Sequence, residues 1–299
     1  MTYKLYAPFA LCITLGLSAC GSDSSQSTNT DSVTELRVTA EVNTNVNAAH
    51  ITVIPNDVAP WLSHIILIDQ DGDLYQTALD SGVAKPLNMK AVDAVGLMRE
   101  QAAGVVLTLS EAGTISALIE SDDEGNLSPL PVSSSVGGLS RFCETAHAPS
   151  GTVFAQAEGG DVVEMGVLVQ ESQIILSEIE RSKGQADAAC YVNGDTVSFQ
   201  QSSDGRFAVL DFGDRTILSA ADKGAVWSGG GAVTITSGLS TPGIDTARAV
   251  HATSDSLGGA FRDGAIIMAD ADAPRLVMIS AGFARSVLDP IDESATPDP

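Results

Sequence analysis

The side chains that could perform chemistry are few, and they do not form a recognised catalytic or metal-binding pattern. The chain contains no G-x-S-x-G nucleophile elbow, no phosphate-binding P-loop and no dinucleotide fingerprint. The segment 121–126 (SDDEGN) could offer oxygens to Ca²⁺, but an exposed acidic hairpin loop has the same composition. The four histidines lack the spacing of metal ligands, and each is predicted to be structural or solvent-facing: His50, His64, His147 and His251.

Two cysteines lie beyond the first twenty residues of the chain, Cys143 and Cys190. They are 47 residues apart, which is close to the repeat length inferred below. Equivalent positions of successive repeats are neighbours in space, and an exported protein meets oxidising conditions. The spacing is therefore compatible with a disulfide, and two buried free thiols are the alternative.

The two tryptophans, Trp61 and Trp227, are interpreted as core or channel packing. A platform for carbohydrate is the alternative for either residue.

Composition excludes several classes of protein. The 299 residues include Lys+Arg 15 against Asp+Glu 38, a formal net charge of −23. Such a surface repels phosphate backbones, so nucleic acid is not an expected partner. A hydrophobic content of 44% is too high for a disordered acidic chain, and the length can bury a sizeable core.

The start of the chain has the features of an export signal. Lys4 precedes an apolar run that ends in Leu17-Ser18-Ala19-Cys20. This ending resembles the lipobox of bacterial lipoproteins, which implies that Cys20 is lipidated and that the protein is anchored to a membrane without spanning it. Gly21 after the cysteine favours the outer membrane, facing the periplasm or the cell surface. We therefore divide the chain into a signal peptide (1–20), a flexible tether (21–32), a folded domain (33–288) and a disordered tail (289–299).

The body of the chain consists of short β-rich runs that flank glycine-containing turns. Turn glycines at 72, 113, 160 and 205 are 41, 47 and 45 residues apart. One four-stranded propeller blade takes roughly 40–50 residues, so the period predicts an all-β propeller of five to six blades. The 67 residues from Gly205 to Asp272 exceed one blade, so one blade should be shortened or missing there. An antiparallel sandwich is the alternative. The predicted hairpins are 64–69 with 74–79, 104–109 with 114–119, 151–155 with 161–169, 195–200 with 206–212, and 264–269 with 275–279.

Several segments resemble the β-propeller phytases. Residues 251–270 (HATSDSLGGAFRDGAIIMAD) are similar to a late segment of that family, DVTSxxLGxAFPxGLxVxQD. In the same order, 56–61 (NDVAPW) resembles the family's DDPAIW and 68–75 (IDQDGDLY) its first inner hairpin. The resemblance covers most of residues 38–280, with a gap after residue 224 that corresponds to the fifth blade.

The resemblance implies a Ca²⁺-dependent hydrolase of inositol hexakisphosphate with an acidic cleft at the top of the channel. This chain departs from that pattern at most ligand positions, and Asp57 is the acidic metal-ligand position that survives. The resemblance therefore implies a non-catalytic or weakly active accessory module, whose partner is a complete phytase or a phosphate ester. An active calcium-dependent phosphomonoesterase and a scaffold for protein contacts are the alternatives. The departures fall at Asp69-Gln70-Asp71, Val95, Ser140, Glu158, Gln200-Gln201-Ser202, Arg248 and His251.

Overall fold

A computed structural model describes residues 34–79, 82–121, 125–170, 172–193, 196–201, 207–212, 214–220, 225–227 and 231–288. Nearly all the regular structure in these ranges is β. The strands are β1 (Thr34–Arg37), β2 (Ala40–Asn43), β3 (Ala48–Ile54), β4 (His64–Asp69), β5 (Asp73–Ala78), β6 (Lys85–Lys90), β7 (Asp93–Leu97), β8 (Val105–Leu109), β9 (Ile115–Glu120), β10 (Leu127–Leu130), β11 (Val132–Ser134), β12 (Leu139–Phe142), β13 (Thr152–Ala157), β14 (Val162–Val169), β15 (Ile174–Ser182), β16 (Ala189–Asn193), β17 (Thr196–Gln200), β18 (Phe207–Phe212), β19 (Asp214–Ala220), β20 (Ala225–Trp227), β21 (Gly231–Thr236), β22 (Ala247–Thr253), β23 (Ala265–Asp270) and β24 (Arg275–Ser280). Two 3₁₀ segments (Pro60–Leu62 and Gly259–Phe261) and the helix α1 (Ala281–Leu288) complete the inventory.

In the described part of the chain the strands form six sheets, which we call blades I to VI. Blades I (β3–β6), II (β7–β10), III (β12–β15) and V (β18–β21) are four-stranded antiparallel meanders. Blade IV has two strands, β16 and β17. Blade VI takes β22–β24 from the end of the chain and β2 from its beginning, paired antiparallel to β24. Two further strands extend the outer edges in parallel, β1 beside β21 and β11 beside β15.

Buried hydrophobic clusters join the blades into a ring. Each of the six clusters lies between two successive blades, and the last joins blade VI back to blade I. The first strand of each blade is innermost, since β3 packs against β7 on one side and β22 on the other. Successive residues of a strand point to opposite faces of the sheet. Each blade therefore packs apolar side chains against both of its neighbours. The chain is therefore a β-propeller, and the predicted fold class is confirmed.

Four of the five predicted hairpins are confirmed, and three of the four turn on a predicted glycine. They are β4–β5, β8–β9, β13–β14 and β23–β24. Gly72, Gly113 and Gly160 have φ of +80°, +72° and +92°, which disfavours a side chain. At Gly160 a Cβ would also lie 2.4 Å from the Ala186 nitrogen, so any other residue at this position would clash with the backbone.

The remaining predicted hairpin, 195–200 with 206–212, was wrong, and so was the position of the shortened blade. Strand β17 pairs with β16 and not with β18, which pairs with β19. The short blade is therefore blade IV, between residues 189 and 200, and not the stretch after Gly205. The predicted position failed because blade V is compact. Its four strands fit into residues 207–236, since β20 has only three residues. The glycine period predicted the number of repeats but could not reveal how many strands each contains.

Helix α1 packs against blades V and VI. Its Ala281, Ala284 and Leu288 are buried in the cluster between blades V and VI. Within the described ranges, no helix has the length and apolar character needed to cross a membrane.

Candidate functional site: the axial channel

One end of the central channel is crossed by the segment 143–149, which connects β12 to β13 and which we call the strap. The strap leaves blade III and reaches blade VI, on the opposite side of the six-membered ring. It is fixed by backbone hydrogen bonds to three other blades. With blade IV, the Glu144 N–H donates to Cys190 O (3.0 Å) and the Val192 N–H donates to Glu144 O (2.8 Å). The Ser254 N–H of blade VI donates to Ala146 O (2.6 Å), and the Met98 N–H of blade II donates to Pro149 O (3.0 Å). The strap therefore obstructs the channel where the inner strands end.

Two aspartates hold the centre of the strap. The Nδ1 of His147 donates to Asp255 Oδ1 at 3.0 Å, and its Nε2 lies 3.7 Å from Asp211 Oδ2. Asp255 also accepts the backbone N–H of Ala148 at 2.6 Å. The hydrogen bond and charge of Asp255, reinforced by Asp211, raise the pKa of His147 against the opposing effect of burial. The strap is thus anchored through a histidine that favours its protonated form.

The opposite end of the channel, where the inner strands begin, contains a small cavity that we call the mouth. Its volume is about 220 Å³, below the ~300–1,000 Å³ of typical small-molecule pockets. The side chains that give it chemical character are His50, Asp93, Ser140, Arg141 and Glu144.

Asp93 is the most constrained of these groups. It lies at the first residue of β7, is buried, and accepts the N–H groups of Ala94 (2.8 Å) and Phe142 (2.6 Å). The Nε2 of His50 lies 3.3 Å from its Oδ1 and donates to Ala94 O at 3.0 Å. Burial raises the pKa of Asp93, and the charge of His50 and the two N–H groups oppose that rise. Asp93 therefore joins blades I, II and III at the mouth.

Glu144, the second carboxyl of the mouth, is the first strap residue after Cys143. Burial raises the pKa of Glu144 to about 8, and the negative charge of Asp93 adds to the rise. At neutral pH this carboxyl is therefore mainly protonated and can donate a hydrogen bond.

His251 occupies the channel interior on β22. Burial lowers the pKa of His251 to about 3, and the charge of His50 lowers it further, against the opposing effect of Asp255. His251 is therefore neutral across the physiological range, and it cannot serve as a positive clamp for phosphate.

The charges of the mouth nearly cancel at neutral pH. Asp93 is offset by Arg141, while Glu144 is mainly protonated. Above pH 8 the mouth becomes negative as Glu144 ionises. The mouth can exchange a proton through Glu144 and can bind neutral hydrogen-bonding groups. It offers a polyanion one guanidinium among its described lining residues, that of Arg141.

The sequence-predicted residues fall in separate places. Cys20 lies outside the described residues, and so do three residues of the acidic segment 121–126. Asp57 is exposed on the loop after β3, where its Oδ2 accepts the N–H of Gln101 at 2.8 Å. Among the residues described, no three His, Cys, Asp or Glu side chains are arranged to hold a metal ion.

Cys143 and Cys190 form a disulfide with their Cα atoms 4.7 Å apart. It joins the end of β12 to β16 and so links blade III to the two-stranded blade IV. Of the two readings that the sequence left open, the structure has the disulfide and not the pair of free thiols.

Two of the residues at which the chain departs from the phytase pattern have partners within the fold, Asp69 and Arg248. Asp69 accepts the N–H groups of Asp71 and Asp73, each at 2.9 Å, and the Tyr75 hydroxyl at 3.2 Å. Arg248 donates to Ala271 O at 2.6 Å. These side chains therefore have fold-maintaining partners within the chain.

Sequence reasoning missed the mouth. No sequence pattern singled out Asp93 or Glu144 as a site residue. What marks both residues is their place in the fold. Asp93 is the first residue of an inner strand, and Glu144 directly follows Cys143, which forms a disulfide with the next blade. That signal becomes visible only when the blades are assigned.

No protein-family model matches the chain, and no curated protein matches its sequence. Among solved structures, the chain is similar to the N-terminal domain of Nup159, with a TM-score of 0.36 and 8% identity over 73% of each chain. It is also similar to Sqt1 from Chaetomium thermophilum, with a TM-score of 0.35 and 10% identity over 84% of this chain and 76% of that chain. The propeller itself is defined by the sheet order of this chain.

Proposed function

We propose that the chain is a non-catalytic, propeller-shaped accessory module related to the β-propeller phytases. The observation that carries this proposal is the use of Asp69, a position of the family's phosphate-binding hairpin. Its carboxylate accepts two backbone N–H groups and one hydroxyl of its own turn. A carboxylate engaged in this way fixes a turn and repels a phosphate.

The electrostatics of the mouth support the same proposal. Hydrolysis of a densely phosphorylated inositol requires several positive groups, either side chains or Ca²⁺ held by paired carboxylates. At the mouth Arg141 stands beside Asp93 and Glu144 carries a proton, while His251 in the channel interior is neutral. Asp57 is engaged with Gln101 on a different loop.

Phosphate release is the direct test. The full chain is incubated with inositol hexakisphosphate, with and without millimolar Ca²⁺, and inorganic phosphate is measured against heat-treated protein. We expect no release above that control. Sustained turnover that requires Ca²⁺ overturns the proposal in favour of an active phosphomonoesterase.

Binding distinguishes an accessory module from a scaffold. Calorimetry of the full chain with inositol hexakisphosphate, and separately with Ca²⁺, should give heat with at least one of them and no hydrolysis. The absence of heat with both overturns the accessory role and favours a scaffold for protein contacts.

We further propose that the module is held at the outer membrane through lipidated Cys20. The lipobox-like Leu17-Ser18-Ala19-Cys20 supports this proposal. Bacteria expressing the full chain are labelled with radioactive palmitate, and the label should enter the wild-type protein but not Cys20→Ser. Equal labelling of both proteins contradicts a lipid anchor at Cys20.

A further inference from the structure

A groove separate from the channel lies where blades I, II and VI meet. Its volume is about 410 Å³, within the range of small-molecule sites. Its walls come from the 3₁₀ segment Pro60–Leu62, the ends of β5 and β9, and the turn that contains Gly259–Phe261. The residues that line this groove neither line the mouth nor belong to the strap.

Trp61 stands at this groove and is 64% exposed. The sequence interpretation of Trp61 as core or channel packing was therefore wrong. Trp61 lies on the surface 3₁₀ turn Pro60–Leu62, which leaves much of its side chain in solvent. Leu62 beside it is 52% exposed, so the chain presents an apolar surface to solvent here.

The position of Trp61 is fixed by its surroundings. The Leu62 N–H donates to Ala59 O (2.8 Å), and the Ser63 N–H donates to Pro60 O (3.1 Å). Gly258 packs against Trp61, and a Cβ there would lie 3.2 Å from the Trp61 nitrogen. Gly258 also has a φ of +75°, so the turn of blade VI that contacts Trp61 is specific to glycine. The backbone that carries the exposed indole is thus fixed, which lowers part of the entropic cost of binding.

The groove also contains polar groups. His64 lines it, is 9% exposed, and has an Nδ1 without a hydrogen-bond partner. Gly125 covers this ring closely, because a Cβ at that position would lie 2.7 Å from Nε2. Glu120, at the end of β9, adds a partly buried carboxylate. A purely apolar ligand would leave the unpartnered Nδ1 of His64 without a hydrogen bond.

We propose that the groove binds a neutral carbohydrate, with one pyranose ring stacked on Trp61 and its hydroxyls directed to Glu120 and His64. A pyranose ring has an apolar C–H face and a rim of groups that both donate and accept hydrogen bonds. It therefore matches an aromatic face beside a carboxylate and a neutral imidazole better than a hydrocarbon does. The net charge of −23 disfavours anionic sugars.

The test is calorimetric titration of the full chain with three neutral oligosaccharides: cellohexaose, maltohexaose and chitohexaose. We expect at least one to bind, at least tenfold weakening in Trp61→Ala, and partial retention in Trp61→Phe. Leu168→Ala removes a similarly exposed apolar side chain from β14 in blade III and should leave the affinity unchanged.

Two results would overturn the proposal. One is the absence of binding to all three sugars by a folded wild-type chain, and the other is undiminished binding by Trp61→Ala. A polyproline peptide that binds in place of the sugars, with the same dependence on Trp61, would reassign the groove to proteins. Glu120→Gln provides a second variant, and we expect it to weaken sugar binding without altering the circular dichroism spectrum.

Discussion

Blades II and III meet across a large hydrophobic interface, whereas blade IV is joined to its neighbours by very little buried surface. In the described chain, eighteen buried hydrophobic residues form the cluster between blades II and III. The cluster between blades III and IV contains Val162 and the two bonded cysteines, and the cluster between blades IV and V contains four residues. Because hydrophobic stabilisation scales with buried apolar area, blade IV is held mainly by other means.

The difference explains why the cross-link and the strap are where they are. The disulfide joins blade III to blade IV at the poorest interface. The strap adds Ala146 to the cluster between blades IV and V, where Tyr191 also packs edge-on against Phe207 at 6.3 Å. A ring of six sheets therefore remains closed with one sheet reduced to a hairpin, because a covalent bond and a crossing segment replace the missing core.

The largest effect should come from breaking the disulfide. Its loop spans 47 residues, so loss of the cross-link should lower the free energy of unfolding by about 4 kcal/mol in the chain-entropy model. Denaturant titration of the oxidised and reduced protein measures this difference. The double variant Cys143→Ser with Cys190→Ser should match the reduced protein and be insensitive to reductant. Identical midpoints for oxidised and reduced wild type would contradict the role assigned to the disulfide.

Truncation of a core residue in the large interface should cost somewhat less. Leu107 is fully buried between blades II and III, and Leu107→Ala should lower the free energy of unfolding by about 3 kcal/mol. Thermal or denaturant unfolding provides the measurement. The exposed Leu168→Ala serves as the control and should change stability by less than about 0.5 kcal/mol. A Leu107→Ala cost as small as that of the control would contradict the packing described for this interface.

Removal of the charge of Glu144 should stabilise the protein in alkaline solution. Its pKa is raised from 4.5 to about 8, so the unfolded chain releases this proton at lower pH than the native state does. Its contribution to stability is present below pH 4.5 and is lost as the pH rises to about 8. Glu144→Gln should therefore equal wild type near pH 4 and exceed it above pH 8, by about 2 kcal/mol because solvent screens the partly exposed carboxylate. A constant difference between the two proteins from pH 4 to pH 9 would be inconsistent with a partly buried, protonated Glu144.

The smallest effect is expected at the strap anchor. The raised pKa of His147 means that its ion pair with Asp255 is complete below the ordinary histidine pKa and is lost as the pH rises through the folded pKa. Because His147 is about half exposed, Asp255→Asn should cost about 1 kcal/mol at pH 6 and less at pH 9. Asparagine still offers an oxygen to the Ala148 N–H, so the pH-dependent part of the cost reports the ion pair. Unfolding curves at the two pH values give that difference, and equal costs would argue against an ion pair.

Local patterns in the sequence predicted much of the propeller. Asp71-Gly72 and Ala112-Gly113 mark real turns because positive φ is a local requirement that glycine meets. Blade IV and blade V were not separated correctly, because strand pairing between 196–200 and its partner depends on contacts distant from the turn. Repeat length alone does not distinguish a hairpin with a long connection from a compact four-stranded sheet.

The candidate site was less predictable than the fold. The spacing of Cys143 and Cys190 left the disulfide open as one of two readings, because equivalent positions of neighbouring blades are close in space. Asp93 and Glu144 come from different blades, and nothing in their sequence neighbourhoods indicates that they share a cavity. The exposure of Trp61 depends on how a short 3₁₀ turn meets blade VI, which local pattern does not encode.

The closure of the ring by β1 and β2 sets an order of events during synthesis. Thr34 pairs with Val233, and Ala40 pairs with Met278. The first two strands of the propeller therefore stay unpaired until β21 and β24 have been synthesised. At 5–20 residues per second, the interval between Ala40 and Met278 is roughly 10–50 s. Until then the growing chain has blades without a closed ring, and its early strands are unpaired edges exposed to aggregation. A nascent chain of this kind depends on protection from chaperones for longer than a fold whose first strands pair with their sequence neighbours.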